Sequence, residues 1–425
     1  MCTTKEWKER LSSGQLDQRL LEIYVDPGLV TAQRARYEKA IEAFVGLFGD
    51  GEAQLYSAPG RSEVGGNHTD HQQGEVLAAA VNLDAVAVAR KRDDHKVRLL
   101  SEGYPMLTVD LSDLTARDQE QGTSIGLIRG MACGVQKRGC QIGGFEAYVT
   151  SQVLGGAGLS SSAAFEVLIG TIFSGLYNEN AIGAVEIAKD AQMAENVYFG
   201  KPCGLMDQMA CSVGGLIHID FADPANPLVE QVNVDFSSYG HSLCITDTKG
   251  SHADLTDEYA AVPAEMKQVA AYFEKEVLRQ VSEEAFFREL PQLRKRFGDR
   301  PALRSMHFFA ENARVQGQVK ALREGQFDQF LRLVQESGAS SFQFLQNVYA
   351  NKDVQNQAVS VGLAVSSRIL PGHGVCRVHG GGFAGTIQAF VANDFVETYR
   401  KALDHTFGEG SCHVLKVRPF GGIEV

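Results

Sequence analysis

The amino-acid sequence predicts an α+β fold, in which strands and helices occupy different parts of the chain. Segments that alternate apolar and polar residues lie early and late, and segments with helical spacing of apolar residues lie between them. The regular strand–helix alternation of a parallel sheet is not seen. A chain of 425 residues is also long enough for two domains of ordinary size.

The first third of the chain is predicted to hold two helices, a polar loop and two strands. Apolar residues at helical spacing predict helices over residues 11–24 and 32–48. A loop rich in glycine, asparagine, histidine and aspartate follows over residues 58–74. Alternating apolar and polar residues then predict strands over residues 81–90 and 145–153.

The remainder is predicted to be largely helical, with two short strands near its end. A loop of small residues spans 155–162, and residues 205–221 pass from a loop into a strand. Helices are predicted over residues 163–177, 181–198, 257–281 and 306–337, the last broken near Gly325, and strands over residues 375–379 and 386–391.

The charge balance limits the partners of the protein. The formal net charge is −12, so the chain lacks the basic footprint that nucleic-acid binding requires. If a protein this acidic binds nucleotide phosphates, it must do so through backbone N–H groups, a local cation or a metal ion. No apolar run reaches the ~18 residues of a membrane span. We therefore expect neither nucleic acid nor a membrane among its partners.

Cysteine usage and the N-terminal residues point to a compartment. The eight cysteines are scattered, without the pairs typical of a disulfide framework or a zinc site. The polar N-terminal segment lacks the apolar centre of a signal peptide. We therefore expect a reducing, cytoplasmic location.

Residues 155–163, with the sequence GGAGLSSSA, are a candidate phosphate site. They follow a predicted strand and precede a predicted helix, where unpaired amides and the helix dipole favour an anion. Glycines let a ligand approach the backbone, and serine hydroxyls are oxygen ligands suited to magnesium. The alternative is an ordinary glycine-rich turn capped by serines. The Walker A and protein-kinase signatures are both absent from the sequence.

A second glycine-rich segment, residues 380–385, matches the dinucleotide-binding pattern G-x-G-x-x-G. That pattern should open a helix and be followed by an acidic residue about 20 positions later. Here residues 386–391 alternate like a strand, and Asp394 and Glu397 come too early. We therefore predict a strand–turn–strand hairpin. Its glycines either supply positive φ angles or form a wall beside a ligand.

Polar side chains concentrate in residues 60–71, where arginine, asparagine, histidine and aspartate lie close together. Such groups recognise sugars, because each sugar hydroxyl both donates and accepts hydrogen bonds. A metal site and a plain exposed turn are the alternatives. Farther along, Asp207 lies in an apolar stretch and could either accept a hydroxyl proton or cap a helix.

Four segments together closely resemble the galactokinases of the GHMP small-molecule kinase family. The resemblance extends from about residue 44 to the C-terminus. The similar segments are residues 58–70 (the galactokinase signature), 156–163 (the phosphate loop), 194–208 (a motif ending in Met-Asp-Gln) and 379–385 (the third, glycine-rich motif).

The resemblance implies a two-lobed GHMP kinase fold with the active site in the cleft between the lobes. The N-terminal lobe, residues 1–220, would carry the sugar signature and the phosphate loop, and the C-terminal lobe, residues 221–425, the third motif. It also implies a transferase that uses ATP and Mg²⁺ to phosphorylate the C1 hydroxyl of galactose. We expect a monomer whose partners are the sugar and ATP.

The resemblance assigns roles to individual residues. Asp207 would accept or orient the proton of the attacking hydroxyl, and Arg61 would stabilise that carboxylate and the transferred phosphoryl group. Ser162 and Glu195 would bind Mg²⁺. The sugar would be lined by Asn67, His68, Asp70, Gly204 and Tyr259, and ATP by Gly156, Gly158, Leu159, Ser160, Ser161 and Ser162.

The signature departs from the family pattern at several residues, two of which carry an acid or an amide. Galactokinases usually have Glu where this chain has Asn67, and Asn where it has Glu63. The usual Glu would hold the sugar 6-hydroxyl, whereas Asn67 would also tolerate a carboxylate at C6, as in galacturonate. The alternatives are therefore a kinase for galacturonate or N-acetylgalactosamine and a non-catalytic galactose sensor on the same fold. The presence of Arg61, Ser162 and Asp207 favours an enzyme over a sensor.

Overall fold

The computed structural model describes residues 2–153, 158–251 and 255–425. Within these ranges the α-helices, numbered α1 to α13 in chain order, are Thr4–Ser12, Asp17–Tyr24, Val30–Phe48, Ser124–Lys137, Ser161–Asn178, Ala184–Met193, Met206–Val213, Thr256–Tyr272, Glu283–Phe297, Asp299–Arg323, Phe327–Ser340, Ala358–Ile369 and Val396–Phe407. The strands, numbered β1 to β13, are Cys2–Thr3, Glu52–Gly65, Glu75–Lys91, Lys96–Ser101, Leu107–Asp110, Phe145–Ser151, Leu216–Asp220, Leu228–Gln231, His241–Asp247, Gly374–His379, Thr386–Ala392, Cys412–Leu415 and Ile423–Glu424. Two π-helical segments, Ala194–Phe199 and Ser341–Leu345, continue α6 and α11.

The larger sheet is built around the long antiparallel strands β2 and β3. β3 pairs with β7 through its first residues and with β6 through its last ones. Over the described ranges the strand order is β1-β2-β3-β6-β4-β5. In addition, β7 pairs with both β3 and β8, and β13 pairs with β2. The C-terminal strand therefore lies in the same sheet as the first long strand.

Side chains of β2 and β3 alternate between two apolar layers, as the pleat of a strand requires. Leu55, Val86 and Val88 pack in a cluster with residues of α1, α2 and α3. Tyr56 and Ala87 belong to the layer on the opposite face, which contains residues of α4 and α5. The N-terminal helices are therefore part of the core packing of the larger sheet.

A buried charge joins the N-terminal helices to this sheet. The carboxylate of Asp84, in β3, accepts hydrogen bonds from Arg36 Nη1 at 2.5 Å and from Arg418 Nη1 at 3.0 Å. Tyr24 Oη donates to it at 2.7 Å, and Ser57 Oγ also donates. Burial raises the pKa of Asp84, but the two arginines outweigh burial and lower it. Residues near both ends of the chain thus share one buried anion.

The smaller sheet has the antiparallel order β10-β11-β9-β12. One face packs against α12 and α13 through Val359, Tyr399 and Leu403. Leu243 and Phe390 belong to the same apolar cluster as residues of the larger sheet. The two sheets therefore share a core, and the proposed boundary near residue 220 stays a prediction.

The predicted α+β class agrees with the structure, but two segments near the polar loop differ from their predictions. Residues 58–65, predicted as loop, form the second half of β2. The prediction missed this strand because bulges between Pro59 and Arg61 and between Glu63 and Gly65 disrupt the alternation that identifies a strand. Residues 206–213, also predicted as loop, form α7, which is too short for a clear helical period. The break near Gly325 is confirmed, since it separates α10 from α11.

The described residues include no helix that is both long and apolar enough to cross a membrane. The eight cysteines are free thiols.

Candidate functional site

Arg61 and Asp207 form an ion pair through two parallel hydrogen bonds. Arg61 Nε lies 2.6 Å from Asp207 Oδ1, and Nη2 lies 2.7 Å from Oδ2. The arginine side chain is only 8% exposed, whereas that of Asp207 is 32% exposed. Arg61 lies between the two bulges of β2, and Asp207 lies in the first turn of α7. The pair therefore holds one carboxylate rigidly while leaving it accessible.

The surroundings of Asp207 keep it ionised. Burial raises the pKa of this carboxyl group, but Arg61 and the hydroxyl of Ser160 outweigh burial and lower it. Ser160 Oγ donates to Asp207 Oδ2 and makes no capping bond to α5. Ser160 also has a left-handed φ of 57°. Ser160 therefore does not cap the helix, and its hydroxyl group holds the carboxylate of Asp207 instead.

The described part of the phosphate loop is joined to β2 by the same arginine. Arg61 Nη1 donates to the carbonyl oxygen of Gly158, and its backbone N–H donates to that of Leu159 at 3.1 Å. Gly158 has a φ of +67°, and a side chain there would collide with Thr386. Ser161 is the first residue of α5. The predicted ATP-binding residue Gly156 lies outside the described residues.

Glu195 is a buried acid surrounded by polar groups. Ser162 Oγ donates to its Oε1 at 3.1 Å, and Lys201 Nζ lies 3.0 Å from the same oxygen. Gln208 Nε2 donates to Oε2 at 2.7 Å. The same amide group donates to Glu166 Oε2 at 3.2 Å. The two residues predicted to bind magnesium, Ser162 and Glu195, are therefore in contact.

The oxygen atoms at this place fit a magnesium ion. Glu166 Oε1 and Gln208 Oε1 are buried, and neither has a hydrogen-bond partner among the described residues. Burial raises the pKa of Glu166, and the neighbouring Glu195 raises it further. Among the residues that the structure describes, no group of three or more histidine, cysteine, aspartate or glutamate side chains could hold a metal by itself. Mg²⁺ usually binds through one or two carboxylates together with waters and substrate phosphates.

His68 and Tyr259, both predicted to line the sugar, contact the glycine-rich turn of residues 380–385. His68 Nε2 lies 3.0 Å from the carbonyl oxygen of Gly381, and Tyr259 Oη donates to that of Gly382 at 2.7 Å. Burial lowers the pKa of His68 to about 3, so the ring is neutral. Because Nε2 faces a carbonyl oxygen, it carries the proton and Nδ1 is an acceptor. Nδ1 is buried and has no hydrogen-bond partner in the described part of the protein.

The other predicted sugar-binding residues have different surroundings. A side chain at Gly204 would overlap the carboxylate of Asp70, so the glycine lets the segment before α7 approach this acid closely. Asn67 is fully buried, and its amide is hydrogen-bonded to protein groups on both the oxygen and the nitrogen. A contact between Asn67 and a sugar would require one of those bonds to break.

Residues 380–385 connect β10 and β11 as an antiparallel hairpin, as predicted. Gly380, Gly382 and Gly385 have φ angles of 65°, 77° and 86°, which explains why glycine stands at these positions. The turn meets the sugar-signature segment through His68 and Asn67. The match to the dinucleotide pattern is therefore a consequence of turn geometry.

We expect the ring of His379 to stay neutral down to pH 5, a pH at which His218 is protonated. Burial and the nearby Arg61 lower the pKa of His379 far below 6.5. Burial also lowers the pKa of His218, but Glu75, 2.9 Å from its Nε2, outweighs burial and raises it. Ring resonances followed by NMR, and assigned with His379→Gln and His218→Gln, would check this.

The sign of the stability effect follows from the direction of each shift. The His218–Glu75 interaction stabilises the fold below the unfolded pKa of about 6.5, and this contribution is lost as the pH rises through the higher folded pKa. His218→Gln should therefore destabilise the protein more at pH 6 than at pH 9. Movement of the His379 resonances between pH 8 and pH 5 would contradict the prediction.

Three polar residues of the site were not predicted individually: Glu166, Lys201 and Gln208. Glu166 follows Ser162 by four positions where a helix was predicted to begin at residue 163, so helical spacing across that start could have identified it. Lys201 and Gln208 offer no such signal, because their positions depend on the π-helical turn and on α7.

Two family models match the chain at these segments. Residues 42–91 match the galactokinase galactose-binding signature. Residues 126–215 match the GHMP kinases N terminal domain. The first range contains Arg61, His68 and Asp70, and the second contains Glu195 and Asp207.

Solved structures share the fold over most of the chain. The crystal structure of Lactococcus lactis galactokinase complexed with galactose is 26% identical, has a TM-score of 0.78, and covers 90% of this chain and 98% of that chain. A D-glycero-D-manno-heptose 1-phosphate kinase from Bacteriodes thetaiotaomicron is 16% identical, with a TM-score of 0.59 and coverage of 88% and 99%. Methanococcus jannaschii mevalonate kinase is 14% identical, with a TM-score of 0.59 and coverage of 86% and 99%. The likeness to the last two proteins concerns the fold alone.

Proposed function

Because the chain has the GHMP kinase fold and carries the galactokinase galactose-binding signature, we propose that it is a sugar kinase that transfers the γ-phosphoryl group of ATP to the C1 hydroxyl of galactose. The observation that carries the proposal is the ionised, partly exposed carboxylate of Asp207, held by Arg61 and Ser160. This carboxylate lies where the phosphate loop meets β2, the strand that contains the first part of the sugar signature.

In this proposal Asp207 accepts a hydrogen bond from the sugar hydroxyl and directs its oxygen towards the phosphoryl group. A carboxylate with a lowered pKa is a weak base, so the proton moves to it only as the new O–P bond forms. Arg61 keeps the carboxylate in place with its Nε and Nη2. Such positioning and charge stabilisation account for most of the catalysis of phosphoryl transfer.

The phosphates of ATP would lie at the start of α5, where backbone N–H groups and the helix dipole favour anions. Ser162 and Glu195 would bind a magnesium ion, with Glu166 and Gln208 nearby, and the ion would neutralise charge on the phosphates. Lys201, whose side chain is 62% exposed, supplies a further positive charge beside Glu195.

Glu195→Gln should raise the magnesium concentration needed for half-maximal activity by about tenfold or more, because a charged oxygen ligand is replaced by a neutral amide. Initial rates measured against magnesium at saturating ATP would show this. Glu397→Gln is the matched control, since Glu397 pairs with surface side chains of α13. An unchanged magnesium titration for Glu195→Gln would remove this residue from the metal site.

A coupled ADP-release assay tests the proposed function directly. It would compare galactose, N-acetylgalactosamine, galacturonate, glucose and a control without sugar, each with and without magnesium. Magnesium-dependent turnover of galactose well above the other sugars supports the proposal. Preference for another sugar would change the substrate, and sugar binding without turnover of any sugar would indicate a sensor.

A further inference from the structure

We propose that Glu63, Asn67 and Arg377 form a buried positioning unit, which holds the sugar signature of residues 58–70 against the hairpin turn of residues 380–385. In this role Asn67 does not recognise the substituent at C6 of the sugar. This role presupposes the proposed sugar kinase activity. It assigns Asn67 to the framework of the site, although its neighbours His68 and Asp70 lie at the site itself.

The amide of Asn67 has no free hydrogen-bonding position. Its Nδ2 donates to the carbonyl oxygen of Gly380 at 2.7 Å and to the two carboxylate oxygens of Glu63 at 3.1 and 3.2 Å. Its Oδ1 accepts from Asn347 Nδ2 at 2.8 Å and from Ser341 Oγ at 3.2 Å. An asparagine side chain offers two donor hydrogens and two acceptor positions, and protein groups fill all four. A sugar hydroxyl could bond to it only by displacing one of them.

The charge of Glu63 is neutralised by a buried arginine. Glu63 is 2% exposed, Arg377 is 0% exposed, and Arg377 Nη2 donates to Glu63 Oε1. The guanidinium group also donates from Nη1 to the carbonyl oxygen of Val64 and from Nε to that of Val378, both at 3.0 Å. The pair connects β2 of the larger sheet to β10 of the smaller sheet. Removing one member would leave an uncompensated charge in the interior.

The backbone of Asn67 is held as firmly as its side chain. Its carbonyl oxygen lies 2.9 Å from His307 Nε2, and its N–H donates to Glu311 at 3.4 Å. The next residue, His68, has a φ of 59°, a left-handed conformation that is uncommon for residues other than glycine. Because Asn67 is anchored at both its backbone and its amide, it sets the direction in which His68 points.

Two of the departures from the galactokinase pattern in this segment are reciprocal. Where that pattern has an amide at position 63 and an acid at 67, this chain has Glu63 and Asn67, and the two side chains bond to each other. One acid and one amide are therefore retained, and the negative charge is moved to the residue that contacts Arg377. On this basis Asn67 is no argument for an acidic sugar.

The test is a reciprocal exchange: Glu63→Asn, Asn67→Glu and the double variant, each compared with wild type. Glu63→Asn leaves Arg377 unpaired, and Asn67→Glu places a second acid beside Glu63, so each single variant should raise the sugar KM by about tenfold or more with little change in the ATP KM. The double variant again has one acid, one amide and one arginine. Its sugar KM should return to within about threefold of wild type.

A second comparison separates positioning from direct recognition of C6. The ratio of kcat/KM for galactose to that for 6-deoxygalactose should be the same in all four proteins, because neither residue contacts the 6-hydroxyl. A change of this ratio on Asn67→Glu would overturn the inference. A double variant whose sugar KM is no lower than that of the worse single variant would also overturn the inference. Single variants that lower kcat but leave the sugar KM unchanged, as a merely structural role would do, would overturn it too.

Controls distinguish failure of the inference from failure of the proposed function. Asp223 and Asn226 form an exposed acid–amide pair, and their exchange should leave the kinetics unchanged. Absence of sugar turnover by wild type would overturn the proposed function, yet thermal unfolding would still test the pairing. Each single variant should then lower the Tm by roughly 5 °C, and the double variant should recover most of it. If neither single variant folds, a folded double variant supports the pairing and an unfolded one refutes it.

Discussion

Replacing Asp207 with asparagine should lower kcat by about a thousandfold while changing the affinity for the sugar little. The substitution keeps the shape of the side chain but removes the charge that attracts the proton of the attacking hydroxyl. It also leaves the buried guanidinium group of Arg61 facing a neutral amide. The loss should fall mainly on kcat, because the charge matters most when the hydroxyl proton is released.

The chain offers a close control for this substitution. Asp94 accepts the same kind of two-pronged bond from Arg92, with Nε to Oδ1 at 2.8 Å and Nη2 to Oδ2 at 2.7 Å, but on an exposed turn. Asp94→Asn should leave kcat within about twofold of wild type. Steady-state kinetics would give kcat, and calorimetric titration would give the sugar Kd. A kcat for Asp207→Asn within tenfold of wild type would exclude Asp207 from the chemical step.

Replacing Asp84 with asparagine should lower the free energy of unfolding by about 3–5 kcal/mol. Asp84 is fully buried and compensates two arginines, one from an N-terminal helix and one near the C-terminus. The variant would leave Arg36 and Arg418 without a counter-charge in the interior. Both ends of the chain should lose attachment to the sheet, since the same carboxylate holds them.

A single tryptophan makes this loss measurable. Trp7, in α1, is buried and donates from its indole Nε1 to the carbonyl oxygen of Ala53 at 2.9 Å, so its fluorescence reports on docking of the N-terminal helices. Urea unfolding followed by this fluorescence and by circular dichroism would measure the change, with Asp94→Asn as the exposed control. A destabilisation below about 1 kcal/mol would contradict the role given to Asp84.

The effect of Asp84 should depend on pH in a defined direction. Because the folded pKa of this group is lowered, its contribution is complete above the usual pKa of 3.8 and is lost as the pH falls through the folded value. The difference in free energy of unfolding between wild type and Asp84→Asn should therefore become smaller only in strong acid.

Local patterns identified several helices and the chemistry of the loops, but they gave no prediction for α4, α9, α12 and α13. The helical spacing of apolar residues identified α3, α5 and the break between α10 and α11, because the amphipathic period of a helix is written into consecutive residues. The strand that follows residues 380–385 was recognised from alternation, which correctly excluded a dinucleotide turn. Predictions failed where bulges interrupted β2 and where α7 was too short to show a period.

The sequence by itself determined the fold class, the glycine-rich turns and the kinds of polar groups available, because these depend on residue types and on spacing within short segments. Only the tertiary structure decided which groups meet. It brings Arg61 to Asp207, and it turns the amide of Asn67 towards Glu63 and Gly380. The physical reason is that the direction and burial of a side chain depend on strands and helices far away in the chain. Neighbours as close as Asn67 and His68 can therefore belong to different parts of the site.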